Sequence, residues 1–145
     1  MEHSSPKDAL LILGGNPDYI INDKKIIYCD NVDFNTEIAL YKRAQFFLHL
    51  SYIDHCPNCV VSAVASGCHI IASDSGGTKE LLKNATIINE TDEWDYKPIN
   101  TSEPPVLDFT KKTKPNPSNN SDIDIISCGK KYIQVFEKVL KNERK

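Results

Sequence analysis

Residues 46–82 read FFLHLSYIDHCPNCVVSAVASGCHIIASDSGGTKELL, and this run limits the possible folds more than any other part of the chain. Its aromatic and branched opening, residues 45–52, predicts a strand. Pro57 follows at a position that favours a helix start. Val60, Val61 and Val64 recur at helical spacing, and Gly67 stands where a left-handed residue ends a helix. His69 to Ser73 predicts a second strand, and Gly76-Gly77 forms a turn into a helix through Leu81 and Leu82. Strand, turn, helix, repeated twice, places two strand ends beside two helix beginnings. Backbone N–H groups and helix dipoles then converge on one crevice that suits a phosphate or a sugar hydroxyl.

The flanking sequence extends this pattern. Residues 10–13 form an apolar run closed by Gly14-Gly15-Asn16-Pro17, a buried strand ending in a turn. Residues 25–29 read as another short strand. Asp33 or Asn35 can cap a helix over residues 36–44 that carries Ile38, Tyr41 and Ala44 on one face. Residues 86–88 supply a fifth strand. Strands apolar on both faces, alternating with helices, predict an α/β fold: a Rossmann-like parallel sheet with helices on both faces.

Three segments are expected: a Rossmann-like core over residues 1–92, a Pro/Asn-rich loop over 93–121, and a C-terminal helix over 122–145. The loop holds five of the chain's eight prolines, with Trp94 and Tyr96 as its anchors. Ser121 and Asp124 resemble a capping box before the last helix. Its stripe of Ile125, Tyr132, Phe136, Val139 and Leu140 is expected to pack on the same domain.

Composition narrows the function classes. A net charge of −3 with scattered Lys and Arg argues against a nucleic-acid surface. Lys111, Lys112 and Lys114 read as a solvated loop. No apolar run is long enough to span a bilayer, and the N-terminus lacks a secretory pattern. Five cysteines at irregular spacing fit reduced thiols in the cytoplasm better than a disulfide framework.

The central run resembles the donor-binding second domain of retaining GT-B glycosyltransferases of the glycogen-synthase and mannosyltransferase type. That family carries E-A-M-A-x-G, then a strand of the type P-V-V-A-S, then G-G-x-x-E. The matching residues are Ser51, Asp54, Pro57, Ala63-Val64-Ala65-Ser66-Gly67, Ile70-Ile71-Ala72-Ser73, and Gly76-Gly77 with Glu80. Residues 11–15 look like the family's strand and glycine turn, and Tyr41-Lys42-Arg43-Ala44 like its Y-x-x-A helix end.

The resemblance implies a nucleoside-diphosphate sugar as donor and hexosyl transfer to a glycan or lipid acceptor. It implies no metal ion or other cofactor. Its implied donor contacts are Asp54, Cys56, Pro57, Asn58, Ser62, Ser75, Gly76 and Gly77. Asp54 and Ser62 stand where the family places the two acidic residues of E-x7-E. A hydroxyl at Ser62 cannot reproduce a two-oxygen, charge-assisted grip on a ribose diol, so donor affinity is expected to be weak. The family's Arg and Lys that neutralise the leaving diphosphate lie in a unit that this chain is expected to lack, together with the acceptor domain. No catalytic residue is therefore assigned.

Other readings compete. Cys56-Pro57-Asn58-Cys59 at a helix start resembles a thiol redox motif. Cys56, Cys59, Cys68 and His55 or His69 have the makings of a zinc site. A glycosyltransferase-like binding module without transfer activity is a further alternative. Asp54 can also serve simply as a helix cap, Gly76-Gly77 can admit a ligand or a neighbouring backbone, with the ligand preferred, and His49 reads as a satisfied core residue.

Overall fold

The computed structural model describes residues 9–14, 20–51, 54–91, 106–110, 114–118 and 123–142. The chain divides into two compact units, residues 1–39 and 40–145. In the first unit, β1 (Leu10–Leu13) pairs in parallel with β2 (Ile26–Cys29), in the register Leu10 to Ile26. Gly14 ends β1 at φ +68°, a conformation that glycine adopts without the Cβ penalty. Helix α1 (Phe34–Arg43) starts on Asp33. The Asp33 carboxylate accepts the N–H groups of Asn35 and Thr36 and the Thr36 hydroxyl. The Thr36 hydroxyl bond is the largest of the effects that hold the Asp33 carboxyl below its ordinary value of 3.8.

The second unit is built on a three-stranded parallel sheet in the order β3 (Phe46–His49), β4 (His69–Ser73), β5 (Thr86–Ile88). β4 is the middle strand, so it is hydrogen-bonded on both edges and mostly buried on both faces. This is why its sequence, HIIAS, is nearly continuous in apolar residues rather than alternating. Helix α2 (Asn58–Ala65) packs on β3 and β4. It buries Val60, Ala63 and Val64, the face that its 3.6-residue period brings together. Full burial of side chains such as Val60 and Ile70 stabilises by about 1.5–3 kcal/mol each.

The strands are parallel, as their composition predicts, and the chain is α/β. Among the described residues the five strands lie in two small sheets rather than in one. Gly67 ends α2 at φ +89°. The helix expected through Leu81 and Leu82 is a single 3-10 turn, Thr78–Leu81. Tyr41 is buried at the end of α1, edge-on to Phe47 at 5.1 Å. The Cys68 thiol donates to its carbonyl at 3.0 Å.

Two described pieces of the Pro/Asn-rich segment are stitched to the sheet. Thr91 and Asp108 donate backbone N–H groups to the Val106 and Asn89 carbonyls. Further on, Ser118 N–H bonds the Cys68 carbonyl, and the Ser118 hydroxyl accepts the Ile70 N–H. The anchors expected at Trp94 and Tyr96 lie outside the described residues, as does Ser121.

Helix α3 (Ile125–Asn142) is capped by Asp124 itself, which accepts the N–H groups of Ile126 and Ser127. The sequence placed this aspartate three residues inside the helix; its short carboxylate serves the cap position instead. The expected packing of the α3 stripe is corrected. Ile125, Tyr132, Phe136, Val139 and Leu140 are 48–86% exposed, because an amphipathic period sets which residues share a face but not what covers that face.

Two glycines make a graded test of this architecture. A Cβ at Gly67 meets nothing within 4 Å, whereas one at Gly76, φ +72°, falls 2.7 Å from the Asp54 carbonyl oxygen. Gly67→Ala is expected to cost about 1 kcal/mol from the backbone alone. Gly76→Ala is expected to cost about 2–3 kcal/mol more, because the Asp54 backbone must also move. Urea unfolding of the two variants measures the difference.

Candidate functional site

In a parallel sheet the segments that follow each strand emerge at the same edge. Here those segments follow His49, Ser73 and Ile88, and short contacts draw them together. The Ser73 hydroxyl donates to the Ser51 carbonyl at 3.1 Å. Gly77 N–H donates to the Asp54 carbonyl at 3.0 Å, with the Thr78 hydroxyl 3.5 Å from the same oxygen. Asp74 N–H bonds the Ile88 carbonyl. The Ser75 hydroxyl donates to the Glu90 carboxylate, and Lys79 pairs with Asp74. The turn after β4 is thus held on one side to the β3 turn and on the other to the end of β5.

The glycine pair is what permits the first of these junctions. A Cβ at Gly77 would sit 2.6 Å from the His55 carbonyl oxygen, and one at Gly76 would collide with Asp54. The preferred reading of these glycines, space for a ligand, is corrected: the close approach is made by the protein's own backbone. Gly77 N–H is likewise committed within the chain. Ser75 is buried, and its hydroxyl already has an acceptor in Glu90.

Asp54 has a double role in the turn after β3. Its Oδ1 accepts the Cys56 N–H at 3.2 Å, an Asx-type bend. Its Oδ2 lies 3.6 Å from Nε2 of His49. Asp54 is not the cap of α2. Pro57 occupies that position at φ −69° and ψ 120°, no side chain caps the helix, and its first turn holds no acidic residue. The α2 N-terminus therefore keeps its dipole uncompensated by a side-chain carboxylate. Pro57 is buried, whereas Cys56 and Asn58 are exposed. Ser62, one helical turn after Asn58, shares its face of α2, opposite the buried valines.

The sequence reading of His49 as a satisfied residue is also corrected. Its ring stacks on Phe47 at 6.5 Å, and its Nδ1 is 3.9 Å from the Cys59 sulfur. Its Nε2 is buried with no hydrogen-bond partner, the Asp54 carboxylate lying just beyond bonding distance. Burial pushes the His49 pKa below its ordinary 6.5, and the Asp54 charge opposes this more weakly.

His49 and Glu90 are the two residues that sequence reasoning missed. Both stand at or just past the carboxyl end of a parallel strand, and that position was the available signal. The zinc grouping does not assemble. The Cys68 thiol is buried against Tyr41, and burial pushes its pKa up. His69 is held between the Asn116 carbonyl at 2.6 Å and the Thr86 hydroxyl at 2.8 Å. Among the described residues, no group of three or more His, Cys, Asp or Glu side chains is placed to hold a metal ion. Nor is any described helix long and apolar enough to cross a membrane.

Comparison with protein-family models, with curated proteins and with solved structures finds no match to this chain.

The geometry sets a sign for His49. Its folded pKa is depressed, so its contribution to stability is complete above pH 6.5 and is lost as the pH falls from there through the lower folded value. NMR titration of the imidazole is expected to give a midpoint below 6.5. In Asp54→Asn, which removes the charge that opposes burial, the midpoint is expected to fall further.

Proposed function

We propose that the chain binds a nucleoside-diphosphate sugar at the carboxyl edge of its three-stranded sheet, as the donor-binding domain of a retaining GT-B glycosyltransferase. One observation carries the reading. The turns after β3 and β4 are joined at Asp54 and Gly77, which sets the Asp54 carboxylate beside the uncapped beginning of α2, at a sheet edge that also carries Asp74 and Glu90.

Each part has a chemical use. Sugar hydroxyls are donors, and a carboxylate such as Asp54 accepts them well. A diphosphate is repelled by carboxylates but stabilised by the N–H groups and dipole of a helix beginning, here at Asn58. Ser62 shares the Asn58 face and supplies one hydroxyl for the nucleoside diol, where the resembling family has a carboxylate. Ser75 and Gly77 act indirectly in this reading, by fixing the loop that faces Asp54.

Transfer demands more than donor binding. Charge developing on a departing diphosphate needs preorganised cations, and the cation paired at this edge, Lys79, is engaged by Asp74. In the proposal, the complete enzyme draws its cations and its glycan or lipid acceptor site from a separate domain and transfers a hexosyl group without a metal ion. A binding module without transfer would use the same sheet edge.

Backbone amide NMR with UDP-, GDP- and ADP-sugars is the test. Shifts confined to residues 54–62 and 73–78 at millimolar or lower ligand support the reading; no shift at millimolar ligand, or shifts elsewhere, overturns it. Ser62→Glu is expected to tighten binding by about 1.5–3 kcal/mol, roughly ten- to hundredfold, by restoring a charge-assisted acceptor.

A further inference from the structure

The cluster of His49, Asp54 and Cys59 is not explained by donor binding. Cys59 is the second residue of α2, so its sulfur lies in the first turn, where the helix dipole favours a thiolate over a thiol. His49 Nδ1 stands 3.9 Å from that sulfur, within hydrogen-bond reach for so large an atom. For Nδ1 to accept the thiol proton, the imidazole hydrogen must sit on Nε2. That atom is the buried one without a bonding partner, and it faces Asp54 Oδ2 at 3.6 Å. Nucleophile, base and carboxylate thus stand in line, each beside the next.

The geometry points to Cys59 as a nucleophilic thiol, activated by His49 with Asp54 behind it, that exchanges with low-molecular-weight disulfides. In this step His49 Nδ1 takes the proton from Cys59 Sγ. The thiolate attacks one sulfur of a disulfide R–S–S–R, its S–S bond breaks, and a Cys59–S–S–R bond forms. The departing thiolate collects the proton from the imidazolium and leaves as R–SH. Cys59 is oxidised, and half of the disulfide is reduced.

Burial keeps His49 neutral near pH 7, the state a general base requires. The Asp54 charge offsets the imidazolium once it forms. This differs from a redox motif led by Cys56, whose thiol is exposed. The proposal rests on different contacts from donor binding, although both draw on Asp54 and on the start of α2.

Cys29 and Cys128 are half-buried like Cys59 and serve as internal references. The full chain carrying Cys56→Ser, so that no neighbouring thiol resolves the product, is treated with oxidised glutathione at neutral pH. Mass spectrometry of peptides then follows each cysteine with time. Cys59 is expected to form the mixed disulfide about tenfold faster than Cys29 or Cys128, because a positioned base assists its deprotonation. His49→Asn is expected to erase that advantage while the two references keep their rates. Equal rates for Cys59 and the references in the His49 chain overturn the proposal without recourse to the second variant. An unchanged Cys59 rate in His49→Asn overturns it as well.

Discussion

The Asp54 carbonyl receives Gly77 N–H at a place where two backbones approach as closely as atoms allow. The hydrogen bond alone stabilises by only about 1 kcal/mol. Its structural weight comes from what it requires. Residues 76 and 77 must lack side chains, residue 76 must take a left-handed conformation, and the β3 turn must present its carbonyl toward β4. When these conditions hold, the turns after adjacent strands act as one piece. The position of the Asp54 side chain, and with it the surroundings of His49, follows from that joint.

Carboxylates dominate the edge so formed. Asp54 is split between an Asx bend and His49, Asp74 pairs with Lys79, and Glu90 takes the Ser75 hydroxyl. An edge of this kind favours ligands rich in hydroxyl donors. In the proposed reading a phosphate is placed at the start of α2, where no side-chain carboxylate caps the helix. The same helix start would favour a thiolate at Cys59, so the proposed sugar-nucleotide recognition and the proposed thiol chemistry draw on one electrostatic feature. Occupancy of one is expected to perturb the other through Asp54.

Much of the fold was legible because local rules agreed with one another. Gly67 at a left-handed helix end, Asp33 at a cap and the doubly apolar β4 are each dictated by backbone or burial physics at short range. The site was less legible because its contacts are long-range. Nothing in the order of residues says that the room beside Gly76 is filled by Asp54, or that the Ser75 hydroxyl is taken by Glu90 fifteen positions later. His49 was misread for the same reason: an apolar strand around a histidine suggests satisfaction, whereas its Nε2 depends on how far Asp54 reaches. The exposed α3 stripe shows the converse: a clear period does not name its own partner.

Amide hydrogen exchange at Gly77 tests the joint most directly. If its N–H is held by the Asp54 carbonyl, it should exchange within about tenfold of the ladder amides of β4, as groups opening in one cooperative unit do. Exchange at the rate of an exposed loop amide would mean that the two turns are not joined, and the site built on their joining would not exist.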